Sequence, residues 1–220
     1  REDLRPVRFQ LELLKPQLLM DEAGIESTFV FYGSARIPQP EQVQALLDAA
    51  TTPEQRRVAD NLAAKARYYD EARALARIAA QYPVTQEGCR HFVVCSGGGP
   101  SIMEAANRGA ADVGAQTIGM NIVLPHEQAP NAFVTPELSF QFHYFALRKM
   151  HFLLRARALA VFPGGFGTFD EMFELLTLIQ TGKMKPIPVL LFGRDFWNRV
   201  VDFEALAAEG VISQSDLNLL

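Results

Sequence analysis

The sequence predicts an α/β protein: an open, mostly parallel, doubly wound sheet with helices on both faces and an N-terminal helical extension. Three observations carry this. From about residue 90 the chain repeats the rhythm strand, turn, helix, which brings successive strands back into one sheet in the same direction. The strand segments, such as 92–95 and 158–162, are continuous apolar runs and not alternating ones, so both of their faces are covered. Two of them run into glycine clusters that lead into helix-like sequence, Ser96-Gly97-Gly98-Gly99-Pro100 and Pro163-Gly164-Gly165-Phe166-Gly167-Thr168. This pattern is Rossmann-like.

In chain order, residues 1–22 read as an amphipathic helix with Phe9, Leu11, Leu14, Leu18 and Leu19 on its apolar side. A short β-rich run over 28–32 ends at Gly33-Ser34. Thr52-Pro53-Glu54-Gln55 has the grammar of a helix start: a threonine cap, proline at the first position, glutamine at the third. One long helix is expected from there to about residue 80. It buries Val58, Leu62, Ala66, Tyr69, Ala72, Ala76 and Ala79, and Tyr82-Pro83 stops it. Then come strand 92–95, helix 100–111, strand 117–123, a Pro- and Asn-rich loop, strand 138–142, helix 144–155, strand 158–162, helix 168–181, strand 188–192 and helix 196–208. The expected division is an extension, 1–27, and one nucleotide-binding unit, 28–220. The start at Arg1 and the end at Leu220, just after a helix-start pattern at Ser215-Asp216, predict a piece of a longer protein, truncated at its C-terminus.

Composition bounds the function. Of 220 residues 49% are apolar and 21% charged, the balance of a soluble globular protein. With a net charge of -4 and lysine scarce beside arginine, nothing suggests a nucleic-acid surface. No apolar run reaches the ~20 residues of a membrane span, and the charged start is no signal peptide. Cys89 and Cys95 lie in or beside an apolar run, poor disulfide arithmetic that fits a reducing cytoplasm. The histidines His91, His126, His143 and His151 have no metal spacing and the two cysteines no zinc pattern, so no metal site is expected.

The glycine clusters sit at the carboxyl ends of strands, where open α/β sheets bind ligands. Neither is the G-x-G-x-x-G fingerprint, since Ile102 and Asp170 stand at its last glycine, and neither is a P-loop. Each alone could be a tight turn. Two of this density in one sheet favour phosphate or nucleotide binding through the backbone of Gly97, Gly98 and Gly99 and of Gly164, Gly165, Phe166, Gly167 and Thr168. Glu171 completes a capping box with Thr168, which needs no catalytic role; as a functional group it must face away from the phosphate, toward the sugar. Glu104 favours the helix dipole after Gly97-Gly98-Gly99 and is also placed for a ribose hydroxyl. Arg148 and Lys149 are either a solvated helix face or ligands for a phosphate or purine. Arg36 is a third cation near a strand end.

The segment 163–171, read as P-G-G-x-G-T-x-x-E, together with Gly97 to Ala110, Phe31-Tyr32-Gly33-Ser34-Ala35-Arg36 and the Arg148-Lys149 pair, resembles the Lonely Guy (LOG) family. These are cytokinin riboside 5'-monophosphate phosphoribohydrolases, also labelled "lysine decarboxylase-like", and the likeness is to their longer bacterial branch. The matches span about 29–192. The resemblance implies hydrolysis of the N-glycosidic bond of a purine (cytokinin-type or adenine) nucleoside 5'-monophosphate to free base and ribose 5-phosphate. It implies Arg148 and Glu171 as catalytic residues, the Gly-Thr loop as phosphate site, and active sites at a dimer interface; the expected assembly is a homodimer or higher homo-oligomer. Ser34, Arg36, Met103, Glu104 and Lys149 complete the candidate site around ribose and base. No cofactor is implied, and nothing marks a lysine for a pyridoxal Schiff base. Ser101 departs from the glycine usual in that branch and is expected to narrow the ribose or phosphate pocket. The alternative is a non-catalytic nucleotide sensor or carrier, with Glu171 only a cap.

Overall fold

A computed structural model describes residues 2–82, 84–124 and 129–219. Pro83 and His126 lie outside the described residues.

Six strands form one sheet: β1 (Thr28–Tyr32), β2 (Val93–Ser96), β3 (Thr117–Ile122), β4 (Ser139–Phe142), β5 (Ala156–Val161) and β6 (Val189–Leu191). Their order is β4-β3-β2-β1-β5-β6, and every pairing is parallel. The chain walks outward from β1 to β4, then returns beside β1 as β5. The reversal places a topological switch at the carboxyl ends of β1 and β5, the position where such sheets open a crevice. The register pairs Tyr32 with Val161, so the two strands end at the same height. Phe162 N donates to Tyr32 O (2.8 Å) and Ser34 N to Pro163 O (3.0 Å), which ties the two departing loops together.

The helices are α1 (Arg5–Glu22), α2 (Val43–Asp48), α3 (Pro53–Ala63), α4 (Arg67–Ala80), α5 (Ile102–Ala111), α6 (Phe145–Leu154), α7 (Phe166–Gln180), α8 (Arg194–Val200) and α9 (Phe203–Ala208). Side chains alternate across the sheet, so β1 feeds two cores. Phe29 and Phe31 pack with Phe162, Ala158, Ala160 and the inner faces of α4 and α5. Gly109 lets these two helices touch: a Cβ there would stand 2.2 Å from Arg73 O. Val30 and Tyr32 face the other core, with Met120, Leu159, Phe152 of α6, Met172 and Leu175 of α7, and Trp197 of α8. Each large apolar side chain buried in these layers contributes ~2 kcal/mol. Continuous apolar strands are what such double coverage demands.

Four expectations need correction. The single long helix is two, α3 and α4, parted at 64–66, where i→i+3 bonds replace helical ones (Lys65 N to Leu62 O, Ala66 N to Ala63 O). No Gly or Pro marks the break. The Thr52 capping box does form, with Gln55 N donating to Thr52 Oγ1 and Thr52 N to Gln55 Oε1, but Val58 lies 50% exposed because α3 does not continue the buried stripe of α4. The helix expected at 196–208 is likewise α8 and α9, separated where Asp202 caps Ala205 N at 2.9 Å. The short α2 carried no sequence signal. In α1, Phe9, Leu11, Leu14 and Leu18 are exposed, and the helix is held by Met20, with Leu19 at the core edge.

Candidate functional site

Three loops leave the carboxyl edge of the sheet at the switch point, after β1, β2 and β5, and enclose a cavity of about 840 Å³. Its wall includes Tyr32, Ser34 and Arg36 from the first loop, Gly97 and Met103 from the second, and Gly165, Phe166, Gly167, Thr168 and Glu171 from the third. Arg148 and Phe145 enter from α6. Ten of the fifteen candidate residues thus meet in one place: the ones named here except Tyr32 and Phe145.

The helix start explains the third loop. α7 begins at Phe166 with Gly165 as N-cap, three residues earlier than the Thr168 capping pattern implies. Thr168 is therefore inside the first turn, no side chain caps the helix, and the capping box with Glu171 does not form. The opening N–H groups of a 15-residue helix face the cavity with no carbonyl a turn behind them. Gly164 is required by packing, since a Cβ there would come within 2.1 Å of Thr168 Oγ1, whereas Gly165 and Gly167 face open space.

Glu171, freed from capping, is buried at 6% exposure and meets Arg148, with Nη1 donating to Oε1 at 3.3 Å. Arg148 is fixed on two further sides. Its Nε donates to Met120 O (2.7 Å), and its guanidinium lies 4.9 Å from the centroid of the Phe152 ring. The second glycine turn makes room for it: a Cβ on Gly97 would stand 2.6 Å from Arg148 Nη2. Burial pushes the Glu171 carboxyl up to about 7, against the opposing pull of Arg148 and then Lys149. Burial also lowers Arg148, which remains charged at neutral pH because guanidinium titrates so high. The pair is a poised carboxylate with a fixed cation beside it.

The other candidates sit elsewhere. Gly98 and Gly99 turn away from the cavity: their carbonyls accept from Asn131 N (2.8 Å) and Asn131 Nδ2 (3.0 Å). Gly98 has φ +69° and a Cβ there would strike the Asn121 amide, so only glycine fits. Glu104 is committed to Gln39 Nε2 (2.7 Å) and Tyr69 Oη (2.8 Å), away from the cavity wall. Lys149 is held by Asp170 (2.8 Å) and Glu174 (3.0 Å) outside the pocket. Ser101 has φ +65°, a conformation that suits glycine, and its hydroxyl donates to Ile37 O at 2.6 Å. It tethers the loop after β1 and does not narrow the pocket.

Sequence reasoning missed the support beneath the second loop. Ser96 Oγ accepts from Gly98 N and donates to Asn107 Oδ1 (2.7 Å), while Asn107 Nδ2 donates to Thr117 Oγ1 (2.7 Å). A fully buried asparagine in an otherwise apolar helix face was the available signal. Among the described residues no three His, Cys, Asp or Glu side chains gather as a metal site, and no helix is long and apolar enough to cross a membrane.

Residues 103–220 match the family model described as "possible lysine decarboxylase". Over 123 residues the chain is 30% identical to proteins named pyrimidine/purine nucleotide 5'-monophosphate nucleosidase from Escherichia coli, in strain K12 and two others. That match covers 49% of this chain and 26% of each relative, so the chain spans about a quarter of their length. Similar solved structures include the molybdenum cofactor binding protein of Rippkaea orientalis (16% identity, 84% of this chain, 85% of that one, TM-score 0.46). Another is the Moco carrier protein of Chlamydomonas reinhardtii (17% identity, 89% and 99% covered, TM-score 0.41).

Proposed function

The chain belongs to the possible lysine decarboxylase family, and from that premise we propose that it hydrolyses the N-glycosidic bond of nucleoside 5'-monophosphates, releasing free base and ribose 5-phosphate. The observation that carries this reading is the buried Arg148–Glu171 pair lining the same cavity as the N-terminus of α7. The helix end and the backbone of Gly165 to Thr168 hold the 5'-phosphate. That anchor sets C1' against Glu171. Cleavage builds positive charge on the ribose, as in other glycoside chemistry. Burial pushes the Glu171 carboxyl up to about 7, and in its ionised form it stabilises that charge and takes a proton from water. Arg148, anchored on Met120 O, keeps Glu171 in place and has N–H groups left for the departing base. Ser34, Arg36 and Met103 lie on the wall for ribose and base. Adenine and cytokinin-type purines are the first bases to test, and the names of the curated relatives add pyrimidines.

The decarboxylase chemistry in the family's description does not fit these residues. Among the described residues no lysine lines the cavity, and Lys149, the nearest candidate, is committed to Asp170 and Glu174. A pyridoxal Schiff base has no amine there.

The working unit of this proposal is a cytoplasmic homodimer. Leu4, Val7, Leu11, Leu14 and Leu18 run along α1 at alternating steps of three and four, all about half exposed, and Phe145, Met150 and Leu154 are exposed on α6. That is the spacing of a helix seam awaiting a partner.

The test is chromatographic detection of base release from a panel of purine and pyrimidine 5'-monophosphates, each beside its nucleoside. Release from the monophosphates with little from the nucleosides is expected. Equal rates on AMP and adenosine would remove the phosphate anchor, and tight AMP binding without release would make the protein a carrier or sensor.

A further inference from the structure

Tyr32 ends β1 at the switch point, and nothing in the pairing of Arg148 with Glu171 uses it. Its side chain is 5% exposed, yet it lines the same cavity. Its hydroxyl is buried and has no hydrogen-bond partner among the described residues. Buried hydroxyls are nearly always paired, because leaving one dry forfeits its hydration with nothing in return. Tyr32 lines the cavity, and an orphan hydroxyl at such a wall is satisfied by what enters.

The surroundings fix where that hydroxyl acts. The backbone of Tyr32 is pinned on β5 by register with Val161 and by Phe162 N. Its ring meets the edge of Phe152 at 5.1 Å between centroids, and the other partner of Phe152 is the Arg148 guanidinium. One phenylalanine therefore sets both Tyr32 and Arg148. Burial raises the phenol well above its ordinary value, and the negative charge of Glu171 adds to that, so the group is a neutral O–H beside the carboxylate.

Resting on the nucleotide-hydrolase reading, we propose that Tyr32 is a third catalytic residue whose hydroxyl holds the attacking water against Glu171. The water gives one hydrogen bond to the Glu171 carboxylate and the other to Tyr32 Oη, which leaves its lone pair directed at C1'. In the reaction the water O–H bond breaks, and its proton passes to Glu171. A C1'–O bond forms as the C1'–N bond breaks. The electron pair leaves with the base, which is protonated from solvent.

The test is Tyr32→Phe, which keeps the ring on Phe152 and removes one oxygen. Base release is followed for wild type and variant on AMP, CMP and 2'-deoxy-AMP, together with thermal melting. The expected result is a fall in kcat of roughly ten- to a hundredfold, by the same factor on all three substrates, with KM unchanged. Melting temperature should hold or rise, since an unpaired buried hydroxyl is lost. Unchanged kcat in an active wild-type background would overturn the role of Tyr32 alone. A factor that differs between AMP and CMP would assign the hydroxyl to the base, and one that differs for 2'-deoxy-AMP, or a raised KM, to the ribose. Either overturns the water site. Wild type releasing no base from any monophosphate would sink the parent reading and this role with it.

Discussion

Glu171 lines the cavity beside Arg148, and burial of its carboxyl sets the pH at which it ionises. Its spacing from Thr168 reads as a cap, and a capping glutamate would lie on the surface with an ordinary acidity. The helix instead starts at Phe166, and the carboxyl is buried against Arg148 and pushed up to about 7. The folded value lies above the ordinary 4.5, so folding takes up a proton. The stability Glu171 contributes is complete below about pH 4.5 and is lost as pH rises through about 7. In the proposed hydrolysis activity runs the other way, because the reacting form there is the carboxylate. The rate of base release should climb with pH to a plateau, with its acid midpoint at about 7. A profile of kcat/KM against pH measures this, and a midpoint at an ordinary carboxylate value would contradict the buried pair. Arg148 and Glu171 were legible from the motif as residues, while their contact was not, since 23 positions separate them and they sit on different helices, α6 and α7. Lys149 and Glu104 show the converse: adjacent to the right residues in sequence, they are drawn off by Asp170, Glu174, Gln39 and Tyr69.

The elements were easier to read than their ends. Apolar runs located all six strands to within two residues, because double coverage leaves no polar face to confuse the period. The helix breaks at 64–66 and 201–202 were not legible. Neither contains Gly or Pro; the first shows only as i→i+3 bonds, and at the second the one local signal is the Asp202 cap on Ala205 N. The opening of α7 separates two kinds of glycine. Gly164→Ala places a methyl group against Thr168 and should cost about 1–3 kcal/mol of stability. Gly167→Ala meets nothing and should leave stability equal or higher by up to ~1 kcal/mol. If a phosphate approaches that backbone, Gly167→Ala should nonetheless weaken AMP binding. Melting curves and calorimetric titration of both variants check this, and equal AMP affinity in Gly167→Ala would place the phosphate elsewhere.

At the scale of the whole molecule, the strand order puts three loops from distant parts of the sequence at one switch point, and the glycine clusters marked two of them. What sequence could not reveal is which side of α1 faces the core. Its apolar stripe points outward, and only Met20 and Pro16 are buried. If a second copy covers the stripe, wild type should sediment as a dimer at micromolar concentration, and Leu11→Glu combined with Leu14→Glu should give a folded monomer. Wild type sedimenting only as a monomer with full activity would contradict the dimer.

The proposed hydrolysis requires a buried carboxylate acting on a phosphate-anchored nucleotide, and Glu171→Gln tests that requirement. Glutamine keeps the size of the side chain and an oxygen for Arg148 Nη1, so the fold should survive. It removes the charge that faces the ribose. If that charge supplies ~3 kcal/mol to the transition state, base release from AMP should fall by more than about a hundredfold, while AMP still binds by calorimetry. Turnover of AMP by Glu171→Gln at the wild-type rate would contradict the claim.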